Sequence, residues 1–246
     1  MTLFLTSSPT GCPFEPGPET PALDRKNSFI EKLRAAWPEE PPEGLLLAAD
    51  PEAHAANDEA CAFFAGCLAR AGLPLDGRLT ACDSRNQEEI GELLARCNFL
   101  ILSGGHVPTQ NRFFSEIGLP ALMQSYEGLV LAISAGSMNA ARIVYAQPEE
   151  PGEATDPLYC RWMSGLGLTD ISIWPHYQWA KDRTLDGQRL MDIALADSRR
   201  RPFFALPDGS YILCGDGHET LYGDGWYFGG GRVSLVNEEG EELPLW

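Results

Sequence analysis

The sequence predicts an α/β protein: a mostly parallel sheet with helices on both faces, then antiparallel hairpins near the C-terminus. Three observations carry this. Short apolar runs alternate with helix-period segments through the first two-thirds of the chain. The apolar runs at 99–102 and 129–133 carry no polar alternation, as expected of strands buried on both faces. The last third holds strand-like runs separated by Pro207-Asp208-Gly209, Gly215-Asp216-Gly217, Gly223-Asp224-Gly225 and Gly229-Gly230-Gly231, which are hairpin turn signals.

The elements follow in order. Residues 2–6 form a short apolar strand. Residues 12–22 hold Pro13, Pro16, Pro18 and Pro21 and make a loop. Residues 27–36 are amphipathic helix, stopped by Pro38. A buried strand at 45–49 leads to a long helix at 52–71, closed by Gly72 and Pro74. Then come a strand at 79–82, a helix at 87–96, a strand at 99–102, a helix at 120–126 and a strand at 129–133. A helix-compatible segment at 137–144 follows, reaching to near Tyr145. An alternating strand from Ile171 runs into Pro175-His176, and 185–196 is helical. Strands at 203–206, 211–214, 219–222, 226–228 and 232–236 add hairpins to the sheet or its edge. No internal repeat interrupts this order, so residues 1–246 are expected to form a single α/β domain.

The 246 residues are 44% apolar and can bury a substantial core. Asp and Glu number 35 against 18 Lys and Arg, a net charge of −17, which argues against nucleic acid or an anionic membrane as partner. The seven cysteines are odd in number and lack Cys-x-x-Cys or zinc spacing. Buried free thiols in a reducing cytoplasm fit them best. Residues 1–10 lack the basic and long apolar regions of a signal peptide. No apolar run reaches the ~18 residues of a membrane span.

In open α/β sheets, sites lie at the C-terminal ends of strands, and three such ends carry chemistry. Ser134 stands between the apolar run 129–133 and a helix start, flanked by Ala132, Ala135 and Gly136. A turn there lifts a hydroxyl beside helix N-terminal N–H groups, as a serine nucleophile requires. A helix-capping serine is the other reading, and Ala132 occupies the first glycine position of the usual elbow. Ser103-Gly104-Gly105-His106 follows the 99–102 run. A glycine pair lets the backbone approach a ligand, so Gly105 and Ala135 are the expected oxyanion donors, against an ordinary turn as the alternative. His106 is then placed for a ligand contact. His176, behind Pro175 at a strand end, suits a general base for Ser134. His54 lies in a helix pattern and His218 between hairpins. Between Ser134 and His176 lie Glu149, Glu150, Glu153, Asp156 and Asp170, and spacing does not choose among them.

Gly104-Gly105, Ile133-Ser134-Ala135-Gly136, Pro175-His176-Tyr177 and Ala205-Leu206-Pro207-Asp208-Gly209-Ser210 occur in this order. Together they resemble the dipeptidase E and cyanophycinase family of serine peptidases over residues 99–236. The resemblance implies a class I glutamine-amidotransferase-like fold and a Ser-His-acid triad. It implies Ser134 as nucleophile, His176 as base and an acid in the Glu149-Glu150 region after the elbow helix, taken here as Glu149 with Glu150 and Glu153 as competitors. His106 stands where the family has Asn, and Trp174 where dipeptidase E has Asn before Pro-His. Dipeptidase E reads a substrate carboxylate with a cation, a role that Arg183 could fill, with Lys181 and Arg189 nearby. Cyanophycinase instead cleaves a β-Asp-Arg polymer.

The resemblance therefore implies a cytoplasmic serine peptidase acting through an acyl-enzyme on short peptides, such as Asp-containing dipeptides or isopeptides. No metal or organic cofactor is expected. The expected partner is a small peptide substrate, with no nucleic acid and no membrane; a homodimer is an open alternative to a monomer. The competing readings are a catalytically silent binding protein on the same fold and a non-peptidase amide hydrolase.

Overall fold

In the computed structural model, residues 1–11 and 22–245 are described; most of the proline-rich loop expected at 12–22 lies outside them. The first half of the chain runs β1 (Thr2–Thr6), α1 (Phe29–Ala35), β2 (Gly44–Leu47), α2 (His54–Arg70), β3 (Thr80–Cys82), α3 (Ile90–Arg96) and β4 (Phe99–Leu102). It continues through α4 (Val107–Glu116), α5 (Leu119–Leu122), β5 (Leu129–Ile133) and α6 (Ala135–Ala140). Next come β6 (Ile143–Tyr145), β7 (Trp162–Ser164), β8 (Ile173–Trp174), α7 (Tyr177–Ala180), β9 (Thr184–Leu185), β10 (Gln188–Arg189) and α8 (Leu190–Asp197). The chain closes with β11 (Phe203–Ala205), β12 (Tyr211–Gly215), β13 (His218–Tyr222), β14 (Gly225–Gly229), β15 (Arg232–Asn237) and β16 (Glu242–Pro244).

The main sheet has eight strands in the order β16-β13-β12-β1-β5-β4-β2-β3. β1, β5, β4, β2 and β3 are parallel, and β12 adds antiparallel to β1. Alternation along each strand splits the apolar side chains between two faces. Leu46, Phe99, Ile101, Leu129 and Leu131 pack with Phe29 and Leu33 of α1 and Phe64 and Leu68 of α2. Leu45, Leu47, Leu100, Leu102 and Val130 pack with Leu93 of α3, Phe113 and Phe114 of α4 and Met138 of α6. The expected α/β layering is therefore present, with helices on both faces.

The C-terminal hairpins divide between two sheets. β12, β13 and β16 extend the main sheet, whereas β15, β14, β11 and β8 make a separate four-stranded sheet in which β8 and β11 are parallel. That sheet closes over an aromatic cluster: Trp174, Tyr177, Phe203 and Phe228 are buried together with Leu190 and Ala194 of α8.

Three local expectations are corrected. The helix after Ser134 stops at Ala140; Ala141 turns extended and the β-branched Ile143 and Val144 pair as a strand with β7. The helix expected from Leu185 starts at Leu190, because Asp186 (φ 51°) and Gly187 (φ 77°) turn β9 into β10. The helix α4, with Pro108 in its first turn, was not expected at all.

Candidate active site

β1, β2, β4 and β5 end on the same edge of the main sheet. Ser7, Ala49, Ser103-Gly104-Gly105 and Ser134 emerge there and line one cavity of about 500 Å³. Ser134 has φ 48° and ψ −111°, outside the regions an L-residue favours. The main chain over-determines this strain. Ser134 N–H donates to the Thr6 carbonyl at 2.9 Å, and the Ser137 hydroxyl donates to the same carbonyl at 2.8 Å. Gly136 is pressed on β4: a Cβ there would lie 2.2 Å from the Leu102 carbonyl oxygen, so only glycine permits the turn.

The glycine turn is held to this elbow by buried amides. The Gln110 side chain donates to the Ser103 carbonyl at 2.8 Å, and Asn139 of α6 donates to Gln110 Oε1 at 2.9 Å and to the Val107 carbonyl at 3.2 Å. Gly105 has φ 155°, and a Cβ there would meet Ala49 Cβ at 2.5 Å. Gly104 is the member of the pair against the elbow: a Cβ there would lie 3.4 Å from Ser134 Cβ.

His176 comes from the second sheet. β8 ends in Trp174-Pro175-His176, and its parallel neighbour β11 runs on through Leu206 into Pro207-Asp208. Leu206 N–H donates to the Trp174 carbonyl at 2.9 Å and Tyr177 N–H to the Leu206 carbonyl at 3.1 Å. Two neighbouring strand ends therefore present His176 and Asp208 side by side. Ser7 joins the sheets: its hydroxyl donates to the Leu206 carbonyl at 2.8 Å and accepts from His176 N–H at 3.3 Å. His176 takes a left-handed backbone (φ 55°, ψ 33°), which turns its ring to the elbow.

His176 Nε2 lies 2.9 Å from Ser134 Oγ, and Nδ1 lies 2.7 Å from Asp208 Oδ1. Asp208 is nearly inaccessible, at 4% side-chain exposure, whereas His176 keeps 29% on the cavity side. Trp179 stacks beside the imidazole, 5.8 Å between centroids.

The expected bond from His176 to Glu149 is not made, since Asp208 occupies that ring nitrogen. The physical reason is the short α6: the chain leaves it into β6, and Glu149 arrives beside Gln147, His106 and Glu153 instead. Burial pushes the Glu149 carboxyl up, against a hydrogen bond from Gln147. The sequence did carry a signal for Asp208: like His176, it is a polar residue behind a proline at the end of an apolar strand.

His106 lines the cavity; its Nε2 is 2.8 Å from Glu153 Oε1 and its Nδ1 2.8 Å from Thr109 Oγ1. Glu153 Oε2 also accepts from the Glu149 and Glu150 N–H groups. Burial would raise the Glu153 carboxyl, but those N–H donors and His106 outweigh it and hold it below its usual range. Among the described residues, one potential donor atom each from His106, Glu150 and Glu153 lies within 4.8 Å of the others; a cation bound there would have to replace the His106–Glu153 bond. Arg183 is not on the cavity wall; its guanidinium donates to the Glu149 carbonyl at 2.7 Å.

A hydroxyl, an imidazole and a buried carboxylate in series beside a glycine turn define a serine hydrolase. The family model for peptidase family S51 matches residues 51–222. The chain belongs to that family and is a serine-type peptidase. A search of curated proteins gives no match. Among solved structures, a candidate peptidase E protein from Listeria monocytogenes EGD-e is 16% identical with a TM-score of 0.51, covering 96% of this chain and 98% of that one. That likeness supports the fold. No described helix is long and apolar enough to cross a membrane.

Proposed function

We propose that the protein hydrolyses short peptides, with Ser134 as nucleophile, His176 as general base and acid, and Asp208 as the carboxylate that orients His176. The observation that carries this reading is the unbroken series Ser134 Oγ, His176 and Asp208, at 2.9 and 2.7 Å. Ser134 Oγ attacks the peptide carbonyl carbon as its proton passes to His176 Nε2. The carbonyl oxygen becomes an oxyanion facing the N–H groups of Gly105 and Ala135. Asp208 fixes the tautomer with the proton on Nδ1 and stabilises the imidazolium. His176 then protonates the departing amine, the C–N bond breaks, and an acyl ester remains on Ser134. Water, deprotonated by His176, attacks the ester and restores the serine. These steps run on the chain's own groups.

A cavity of about 500 Å³, walled by the sheet edge and by α2, suits a substrate of a few residues rather than a folded protein. Buried Cys61, Cys82, Cys97 and Cys214, free thiols among the described residues, fit a reducing cytoplasm as the place of action. The test is labelling with a fluorophosphonate probe. The expected result is a single adduct on Ser134, absent from Ser134→Ala and slowed strongly in His176→Ala. An unlabelled Ser134 in folded protein overturns the reading.

A further inference from the structure

The walls of this cavity point to a particular substrate. Its lining contains no lysine or arginine among the described residues. Residues 12–21, outside the description, hold Glu15 and Glu19 but no lysine, arginine or histidine. Lys181, two residues past Trp179, is not on the cavity wall, and two further cations are engaged elsewhere. Arg183 is bound to the Glu149 carbonyl, and Lys26, in the adjoining depression beyond Trp179, pairs with Glu239 at 3.0 Å. Of the two basic rings on the wall, His176 is taken by Ser134 and Asp208, and His106 by Glu153 and Thr109. No lysine or arginine of the described wall therefore complements a substrate carboxylate, and burying a carboxylate without a cationic partner is costly.

What the wall does offer is the opposite charge beside an apolar surface. Asp50 and Glu150 both line the cavity and both are exposed to solvent. Among the described residues, Asp50 accepts only the Glu52 N–H through its side chain, and no hydrogen bond to the Glu150 carboxylate is found. Glu150 stands next to His106, just past the glycine turn. The same cavity is lined by one face of α2 and its approach: Ala53, Ala56, Ala60, Phe63 and Phe64. Alanines at that spacing leave room beside the two phenylalanines, an apolar wall suited to an apolar or aromatic side chain.

We infer that the preferred substrate is a short peptide whose free amino group faces Glu150 and Asp50 and whose apolar side chain packs on the apolar wall at Phe63 and Phe64, and that peptides beginning with an acidic residue are disfavoured. This rests on Ser134 acting as nucleophile.

The experiment pairs two readouts on the full chain. Fluorophosphonate labelling of Ser134 reports the nucleophile without any substrate selectivity. In parallel, kcat/KM is measured on the p-nitroanilides of Phe, Leu and Asp and on N-acetyl-Phe p-nitroanilide. Phe or Leu is expected to exceed Asp by at least about tenfold, and N-acetylation to cost about tenfold, the scale of one lost charge pairing in a partly exposed site. Glu150→Gln is expected to shrink the ratio of free to acetylated Phe substrate, and Glu150→Arg to raise the Asp substrate relative to Phe. If Ser134 is labelled but Asp is preferred, or no member of the panel is cleaved, or the free-to-acetylated ratio ignores Glu150, the inference is overturned and the nucleophile assignment stands. If Ser134 is not labelled, both fall.

Discussion

At the scale of single residues, the catalytic question reduces to which carboxylate serves His176. Asp208 touches its Nδ1, whereas Glu149 reaches the ring only through space. Asp208→Asn is therefore expected to leave the fold intact and lower kcat heavily, by up to ~10⁴-fold as in a well-studied triad. Glu149→Gln removes a carboxyl that burial already pushes toward its neutral form, so it is expected to keep activity within about tenfold. Steady-state kinetics on one cleaved peptide settle the comparison; the reverse ranking would return the acid role to Glu149. The sequence made Ser134 and His176 legible because each ends an apolar run at a residue that fixes the backbone. It left the acid open because a carboxylate's partner depends on which strand ends are neighbours. Asp208 lies 32 residues beyond His176 in the chain and becomes adjacent only when β8 and β11 pair.

At the scale of elements, the contact between α6 and β4 and the turn after β3 each give a testable consequence. Gly136 cannot accept a methyl group without displacing the Leu102 backbone. Gly136→Ala is expected to destabilise the protein by roughly 1–3 kcal/mol or more and to slow Ser134 labelling. Gly91, in α3, has nothing within 4 Å of its missing Cβ. There Gly→Ala is expected to stabilise by up to ~1 kcal/mol through helix propensity, and thermal melts of both variants check the contrast. Asp83, with no exposed side-chain surface, accepts from Asn57 of α2 at 3.1 Å and from Arg85 at 2.7 Å. Burial would raise its carboxyl, but the bonds from Arg85 and Asn57 outweigh burial and depress it below the usual 3.8. A depressed carboxyl contributes stability that is present above its unfolded-state pKa and is lost as pH falls through the folded-state value. Asp83→Asn should therefore lower the urea midpoint at pH 7, and the gap to the parent should narrow as pH falls below about 4. A gap that is constant with pH would assign the loss to packing alone. Asn57 lines the cavity, so this network also sets one of its walls.

At the scale of the whole molecule, the site exists because two sheets meet. Ser134 and the glycine turn belong to the main sheet, His176 and Asp208 to the four-stranded one, and the aromatic cluster around Trp174 packs that second sheet. Phe228 is fully buried and stacks 4.9 Å from Phe203, with Trp174 at 5.6 Å. Phe228→Ala is expected to cost ~3–5 kcal/mol of stability. At temperatures where the variant stays folded, it is expected to lower kcat more than it raises KM, because β8 carries His176. Denaturant unfolding and kinetics on the same preparation test both parts; an unchanged kcat would show that His176 is held by the Ser7 and Leu206 bonds without the cluster.

The chain's own pattern determined the α/β class, the parallel strands at 2–6, 99–102 and 129–133, the hairpins of the last third, and the serine and histidine that end up facing each other. Those features are written in local periodicity and in residues that constrain their own backbone, so they need no knowledge of neighbours. Tertiary structure alone decided the rest. Helix α6 ended early because Ile143 and Val144 found a strand partner in β7. The hairpins split because β11 paired with β8 rather than with the main sheet. Arg183 was drawn away from the cavity to the Glu149 carbonyl, and Asp208 became the partner of His176. Each of these outcomes depends on which distant segments meet, and a one-dimensional pattern of apolar and polar residues does not specify that.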